Sequence, residues 1–275
     1  MQLQYKKLGI VKKYILLHEE RTQFNGIKNE NFSEAQIEVE CLESVNNMPC
    51  FKVSMKNFKQ SNTEGMYKWV GDLHTLRKEV IFTLNEQGQI GEVQNLNSIT
   101  YNWPWIRQDI RKQHAKEKYA EMIEKGIEKV LQNNKQFSST LRFTMPYLLL
   151  FSGINNKEFK ENESAIGYRE LPNFLNVKKV PIITTEKITN IDSEKKQFLI
   201  EVEGKIDEME FEQDKISRLI KILKNRPRVP TLVQLKYTEK HLLDQDHWPL
   251  QSMCLSLAYI PGTLYREEKT ILKLM

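Results

Sequence analysis

Near residue 100 the apolar residues of this chain change their spacing from every second position to the period of a helix, and that switch restricts the fold more than any motif does. Upstream, in "RKEVIFTLNEQGQIGEVQN" (77–95), Val80, Phe82 and Leu84 share one face of a strand. "NEQG" then supplies turn chemistry, with Gly88 suited to positive φ, so the stretch predicts a hairpin. Downstream, Ile106, Ile110, Tyr119, Met122, Ile123, Ile127, Val130 and Leu131 recur at helical spacing. That pattern predicts one long amphipathic helix from Trp103 to about Asn133. Asn102 serves as its cap, and Pro104 sits in the first turn, where a missing N–H costs nothing. A second helical segment is expected in "FSSTLRFTMPYLLLFSG" (137–153), with Pro146 as its start or kink.

The flanks of this helical region read as strands. Partial two-residue alternation marks 11–19, 35–45 and 50–58 before it, and 179–191, 196–206, 229–243, 252–260 and 265–274 after it. A further helix is expected over 212–225, where Ile216, Leu219, Ile220 and Leu223 form one stripe. Strands grouped around helices, without a regular βαβ alternation, predict an α+β fold of antiparallel sheets with a long amphipathic helix. The polar stretch 154–173 divides the chain into two similar-sized α+β halves: an N-terminal domain 1–153 and a C-terminal domain 174–275, with 154–173 as connector.

Composition narrows the function classes. The net charge of +5 comes from 41 basic and 36 acidic residues, interspersed along the chain as in "KEKYAEMIEKGIEK". A nucleic-acid platform would segregate its positive charge, so nucleic acid is disfavoured as a partner. The start of the chain lacks an apolar run of leader length, and "MPYLLLF" (145–151) is far too short to span a bilayer. A soluble, cytoplasmic protein without a membrane span is expected. Cys41, Cys50 and Cys254 form no metal-type pair and read as reduced core residues. No phosphate-cradling or dinucleotide-binding glycine pattern occurs, because "GQIGE" lies within the hairpin, and no cofactor is implied.

Two stretches hold candidate site chemistry. In "ITYNWPWIRQDIRKQ" (99–113), Trp103, Trp105, Arg107 and Arg111 are the candidate partner-binding residues. Tryptophans turned inward would only anchor the helix, whereas one exposed beside the arginines would make a surface for a protein partner. In "HLLDQDHWP" (241–249), His241, Asp244, Asp246 and His247 are of metal-ligand or acid/base type. Their spacing matches no zinc arrangement, and the proline marks a turn, so the favoured reading is a polar loop with Trp248 packed inward. His74 and His114 are isolated. Cys50 lacks the sequence context of a nucleophile, and no G-x-S-x-G elbow is present. The chain is expected to bind rather than to catalyse.

The order "FTLNEQGQIGEVQNLNSITYNW", a strand, a glycine turn, a second strand and then a helix opened by Asn, Ile and Trp, resembles uncharacterised proteins of the Bacteroidota. Some of these occur beside contractile injection systems and polymorphic toxins. The resemblance covers about residues 77–150. It implies an immunity protein, effector adaptor or accessory component with a protein partner encoded nearby, and no catalytic residue. Two other readings stand beside it: a carrier of an apolar small ligand in a half-barrel cavity, and a hydrolase or nuclease using the His241/Asp244/His247 region.

Overall fold

The structure, a computed structural model, describes residues 8–114, 120–154, 164–172, 179–192, 194–225 and 228–275. Three long strands open it: β1 (Val11–Phe24), β2 (Ile27–Val45) and β3 (Met48–Gln60). Left-handed residues make both connecting turns, Asn25 and Gly26 in one and Asn46 and Asn47 in the other. Asparagine and glycine tolerate that conformation, so these strands fold back tightly. Helix α1 (Gly65–Leu73) and a 3-10 turn (His74–Arg77) lead into β4 (Glu79–Leu84) and β5 (Ile90–Val93). The hairpin read from "NEQG" is present, with Gly88 at φ 72°. Helices α2 (Leu96–His114), α3 (Ala120–Leu131), α4 (Asn134–Arg142) and α5 (Tyr147–Leu150) follow. The chain then runs through β6 (Ser164–Pro172), β7 (Lys179–Asp192), β8 (Gln197–Ile206), α6 (Gln213–Lys224), β9 (Gln234–Leu243), β10 (Pro249–Ile260) and β11 (Leu264–Leu274).

Among the described residues the named strands belong to a single eleven-stranded sheet, in the order β5-β4-β3-β2-β1-β11-β10-β9-β8-β7-β6. Every neighbour pair but one is consecutive in sequence. The exception joins β1 to β11 in the middle of the sheet. The chain therefore starts centrally, meanders to one edge, crosses through the helices to the other edge and meanders back. Sequential hairpins need only short turns, and Asn or Gly supplies those of β1–β2, β2–β3, β4–β5 and β10–β11.

Two expectations are corrected here. The fold is not a balanced α+β pair of halves but one sheet-dominated antiparallel architecture with short helices. The single helix expected from Trp103 to Asn133 is two helices running antiparallel. Thr100 Oγ1 donates to the Leu131 carbonyl at 3.4 Å, Trp103 reaches Glu128, and Arg111 reaches Glu124. The helical stripe continued across residues 115–119 in sequence, but Tyr119 and its neighbours lie outside the described residues. Nor is Pro104 in a first turn: α2 begins at Leu96, which places Pro104 inside it and leaves Asn102 no capping role. Asn133, which sequence marked as the end of the long helix, caps α4 by accepting a hydrogen bond from Gln136 N. The segment 164–172, read as connector, is strand β6, while 155–163 lies outside the described residues.

The chain divides into two compact units, and the division cuts β1 and β2. One holds residues 2–15 and 34–156. In it the α5 segment packs aromatic rings onto the sheet: Phe151 lies 5.2 Å from Phe51 and 5.0 Å from Phe82, centroid to centroid, and Tyr147 lies 6.0 Å from Phe82. The other holds 16–33 and 157–274, with Ile216 and Ile220 of α6 packed on Val180, Val233, Ala258 and Ile260. The side chain of Leu223, placed in the same stripe by sequence, is outside the described residues. Among the described residues no helix is long and apolar enough to cross a membrane. Phe82 is fully buried and shares contacts with three other rings. Phe82→Ala is expected to cost about 3–5 kcal/mol, read as a lowered urea midpoint with an unchanged m-value.

Candidate functional site

Of the residues singled out on α2, three serve the helical pair. Trp103 is buried and donates its indole N–H to Glu128 Oε1 at 3.3 Å. Arg107 pairs with the same carboxylate. These two hydrogen bonds hold the Glu128 carboxyl below its usual value. Arg111 Nε donates to both oxygens of the buried Glu124, at 3.0 and 2.8 Å. Trp105 does none of this. It is 68% exposed, and Tyr101, one turn earlier, is 78% exposed. Together they form an aromatic pair at helical spacing that faces solvent.

Trp105 stands on one wall of a cleft of about 580 Å³, with Asn102, Ile99 and Ile106 of the same helix. Met55 and Lys56 of β3 and Leu76 and Lys78 near the 3-10 turn form the opposite wall. Asn95, just before α2, ties the start of that helix to β4: its Oδ1 accepts from Ile81 N at 2.9 Å and its Nδ2 donates to the Glu79 carbonyl at 3.2 Å. The Met55 N–H donates to the Lys78 carbonyl at 2.9 Å, tying β3 to the same loop. The size lies within the range of ordinary ligand and anchor pockets.

Beside this cleft His74 stacks on Phe58, with ring centroids 4.5 Å apart. Its Nε2 is buried without a hydrogen-bond partner among the described residues. Burial first, and then Arg77 and Lys78, lower its pKa to about 4 from the ordinary 6.5. A neutral folded imidazole that ionises more readily when unfolded contributes stability above pH 6.5, which is lost as the pH falls towards 4. Thermal midpoints measured between pH 7.5 and 4.5 are expected to fall less in His74→Gln than in the wild type.

The loop residues 241–247 do not converge. Asp244 closes the β9–β10 turn, accepting from the N–H groups of Asp246 at 2.9 Å and Trp248 at 2.8 Å. Trp248 is buried, and His247, in a left-handed conformation, meets the edge of Phe198. His241 points into the sheet instead. Among the described residues no group of three or more His, Cys, Asp or Glu is arranged to hold a metal ion.

His241 belongs to a buried polar network that sequence reasoning missed. Arg169 of β6 is 1% exposed; its Nε donates to Glu239 Oε1 at 2.7 Å, and its Nη2 lies 3.3 Å from Glu186 Oε1. Glu239 also accepts from the Tyr237 hydroxyl, and its Oε2 lies 2.8 Å from His241 Nε2. His241 Nδ1 in turn lies 2.9 Å from Ser252 Oγ. Sheet register explains the meeting: Glu186 aligns with Val202, Val202 with Glu239, and Glu239 with Cys254. Gly167 of β6 leaves room for the Glu186 carboxylate, since a Cβ there would stand 2.1 Å from Oε1. The signal was present in sequence as charged residues at inward positions of alternating strands, in "TTEKI" and "YTEKH". Arg169 itself fell in the presumed connector.

Hydroxyl, imidazole and carboxylate in series resemble an acyl-transfer relay. Here Ser252, His241 and Glu239 are all buried, and Arg169 occupies the carboxylate. Burial alone would raise the Glu239 carboxyl, but Arg169 and His241 overcome it and hold the group well below the carboxylate range. Burial pushes the Cys254 thiol up, away from nucleophilic ionisation. The cluster is thus a buried structural tie in which one guanidinium serves two carboxylates. Arg169→Met would leave two buried carboxylates without their cation, at a cost of about 3–5 kcal/mol. Chemical denaturation should reveal that loss, with partial recovery in Arg169→Met/Glu239→Gln.

No protein-family model matches the chain, and no curated protein matches it. Among solved structures it is similar to one described as lipid–protein interactions in lipovitellin, with a TM-score of 0.48 and 11% identity over 98% of this chain. The chain spans only 25% of that protein's length. It is also similar to a putative outer membrane lipoprotein-sorting protein domain from Vibrio parahaemolyticus, with a TM-score of 0.17 and 9% identity, covering 96% of this chain and 86% of that one. At these values neither likeness bears on function.

Proposed function

We propose that the protein is a non-enzymatic binding protein that holds a protein partner at the α2 cleft. The observation that carries this reading is the exposed pair Tyr101 and Trp105, with Trp105 on the cleft wall. A tryptophan left in water on the wall of an apolar-lined depression, with an exposed tyrosine one turn away, is of the residue types that dominate protein interfaces. Nucleic acid fits this face less well, because Arg107 and Arg111 are committed to Glu128 and Glu124 and Lys112 lies 3.5 Å from Asp109. An apolar small ligand is disfavoured in each unit where the rings of the α5 segment and the apolar face of α6 already cover the sheet. The proposed setting is a bacterial secretion or toxin system, with the protein acting as immunity protein, effector adaptor or accessory component by occluding or carrying a partner encoded nearby.

The test is calorimetric titration against the purified products of neighbouring genes. One of them is expected to form a stoichiometric complex. Tyr101→Ala/Trp105→Ala should weaken it by at least about thirtyfold, on the usual scale of interface hot spots, with the thermal midpoint unchanged. Wild-type affinity in the double variant would remove the cleft from the reading, and failure of every neighbour to bind would remove the protein partner.

A further inference from the structure

A second surface lies in the other unit, at the end of the sheet where two hairpin tips meet the C-terminus of α6. The Asn25 N–H donates to the Thr263 carbonyl at 3.3 Å, joining the β1–β2 turn to the β10–β11 turn. Lys224 of α6 donates to the Gly262 carbonyl at 3.4 Å, so the helix end joins them. Between these parts runs an open cleft of about 700 Å³ bordered by Asn25, Lys224, Val229, Pro230 and Thr263. Gly26 and Gly262 take left-handed conformations at the two tips, and a Cβ at either would meet no atom within 4 Å.

Two properties of this end are unusual together. Its apolar groups stand outward: Ile27 is 66% exposed at one tip, Ile222 75% on the outer side of α6, and Leu232 63% beyond Pro230. Its charge is of one sign. Lys224 borders the cleft, Lys28, Lys221 and Arg228 are exposed on the adjoining segments, and among the described residues no carboxylate borders the cleft. The nearest acid along β2, Glu30, lies 3.9 Å from Arg21. The basic run 221–230 is thus more than a helix terminus.

We propose that this end of the protein docks on the surface of an anionic phospholipid bilayer. Separate apolar side chains on protruding tips cannot form the contiguous dry centre that a protein interface requires. A fluid interfacial region accepts them one by one, while the surrounding cations draw the protein to anionic headgroups. The proposal is independent of the α2 cleft, whose residues all lie in the other unit.

Flotation with unilamellar vesicles tests it, comparing phosphatidylcholine alone with phosphatidylcholine containing about one quarter phosphatidylglycerol. The protein is expected to float with the anionic vesicles only, and to be released as ionic strength rises. Lys221→Gln/Arg228→Gln should lower the partition coefficient about 25-fold, from roughly fivefold per cation near an anionic surface. Ile27→Ser/Ile222→Ser should lower it at least about tenfold. All four positions are exposed, so thermal midpoints should stay at the wild-type value, and Tyr101→Ala/Trp105→Ala should float as wild type does. Absence of flotation, equal flotation with both vesicle types, or wild-type partitioning of either double variant would overturn the proposal.

Discussion

A single guanidinium buried in the sheet sets the terms for one whole unit. Arg169 comes from the edge strand β6, yet its partners are on β7 and β9, and the chain of contacts continues to Ser252 on β10. A charge removed from water is tolerated only if its partners are in place, so the network is satisfied in one register and ruined by a slip of a single residue. A one-residue slip would turn Glu186, Glu239 and His241 to the opposite face. The cluster therefore gives the edge strand a specific alignment that apolar alternation alone specifies weakly.

In the other unit a different device does comparable work. Glu124 and Glu128 of α3 take up the cations of α2, and Trp103 adds an indole hydrogen bond to the second of them. Helix α3 has only 12 residues, and its own propensity would hold it poorly apart from the pairing. With Trp103, Arg107 and Arg111 turned to α3, the face carrying Tyr101 and Trp105 is left to solvent. Aromatic exposure here is thus a consequence of how the helical pair closes, which is why it marks the candidate site.

Most of the strands were legible because they repeat inward and outward positions over several residues, and several end at Asn or Gly; β6, in the presumed connector, was not. Ile37, Val39 and Cys41 announced β2, and Asn85 to Gly88 announced the β4–β5 turn. The helical region was legible only in part. Pro104 looked like a first-turn proline, but a helix can begin earlier and carry proline inside when the freed carbonyl is tolerable. The earlier start was marked by Asn95, an N-cap residue type that directly precedes Leu96 and whose carbonyl accepts from Ile99 N at 3.1 Å. One stripe of apolar residues from Ile106 to Leu131 suits a single helix and a folded pair equally well, since a stripe records which face is buried and not what buries it. Trp103 and Trp105, two residues apart, carried identical sequence signals and ended in opposite environments.

The sequence by itself determined where most of the strands and their turns fall, the buried parity of those strands, and an even mixture of charge along the long helical region. These are local properties, set by neighbours a few residues away. Tertiary structure alone decided that all of the strands share one sheet, that the expected long helix doubles back, and that Arg169 meets a glutamate 70 positions further on. It also decided which tryptophan faces water and that two hairpin tips gather at the basic end of α6. Each of these depends on residues far apart in the chain, whose pairing is chosen by the cost of burying charge and apolar surface together and leaves no periodic trace.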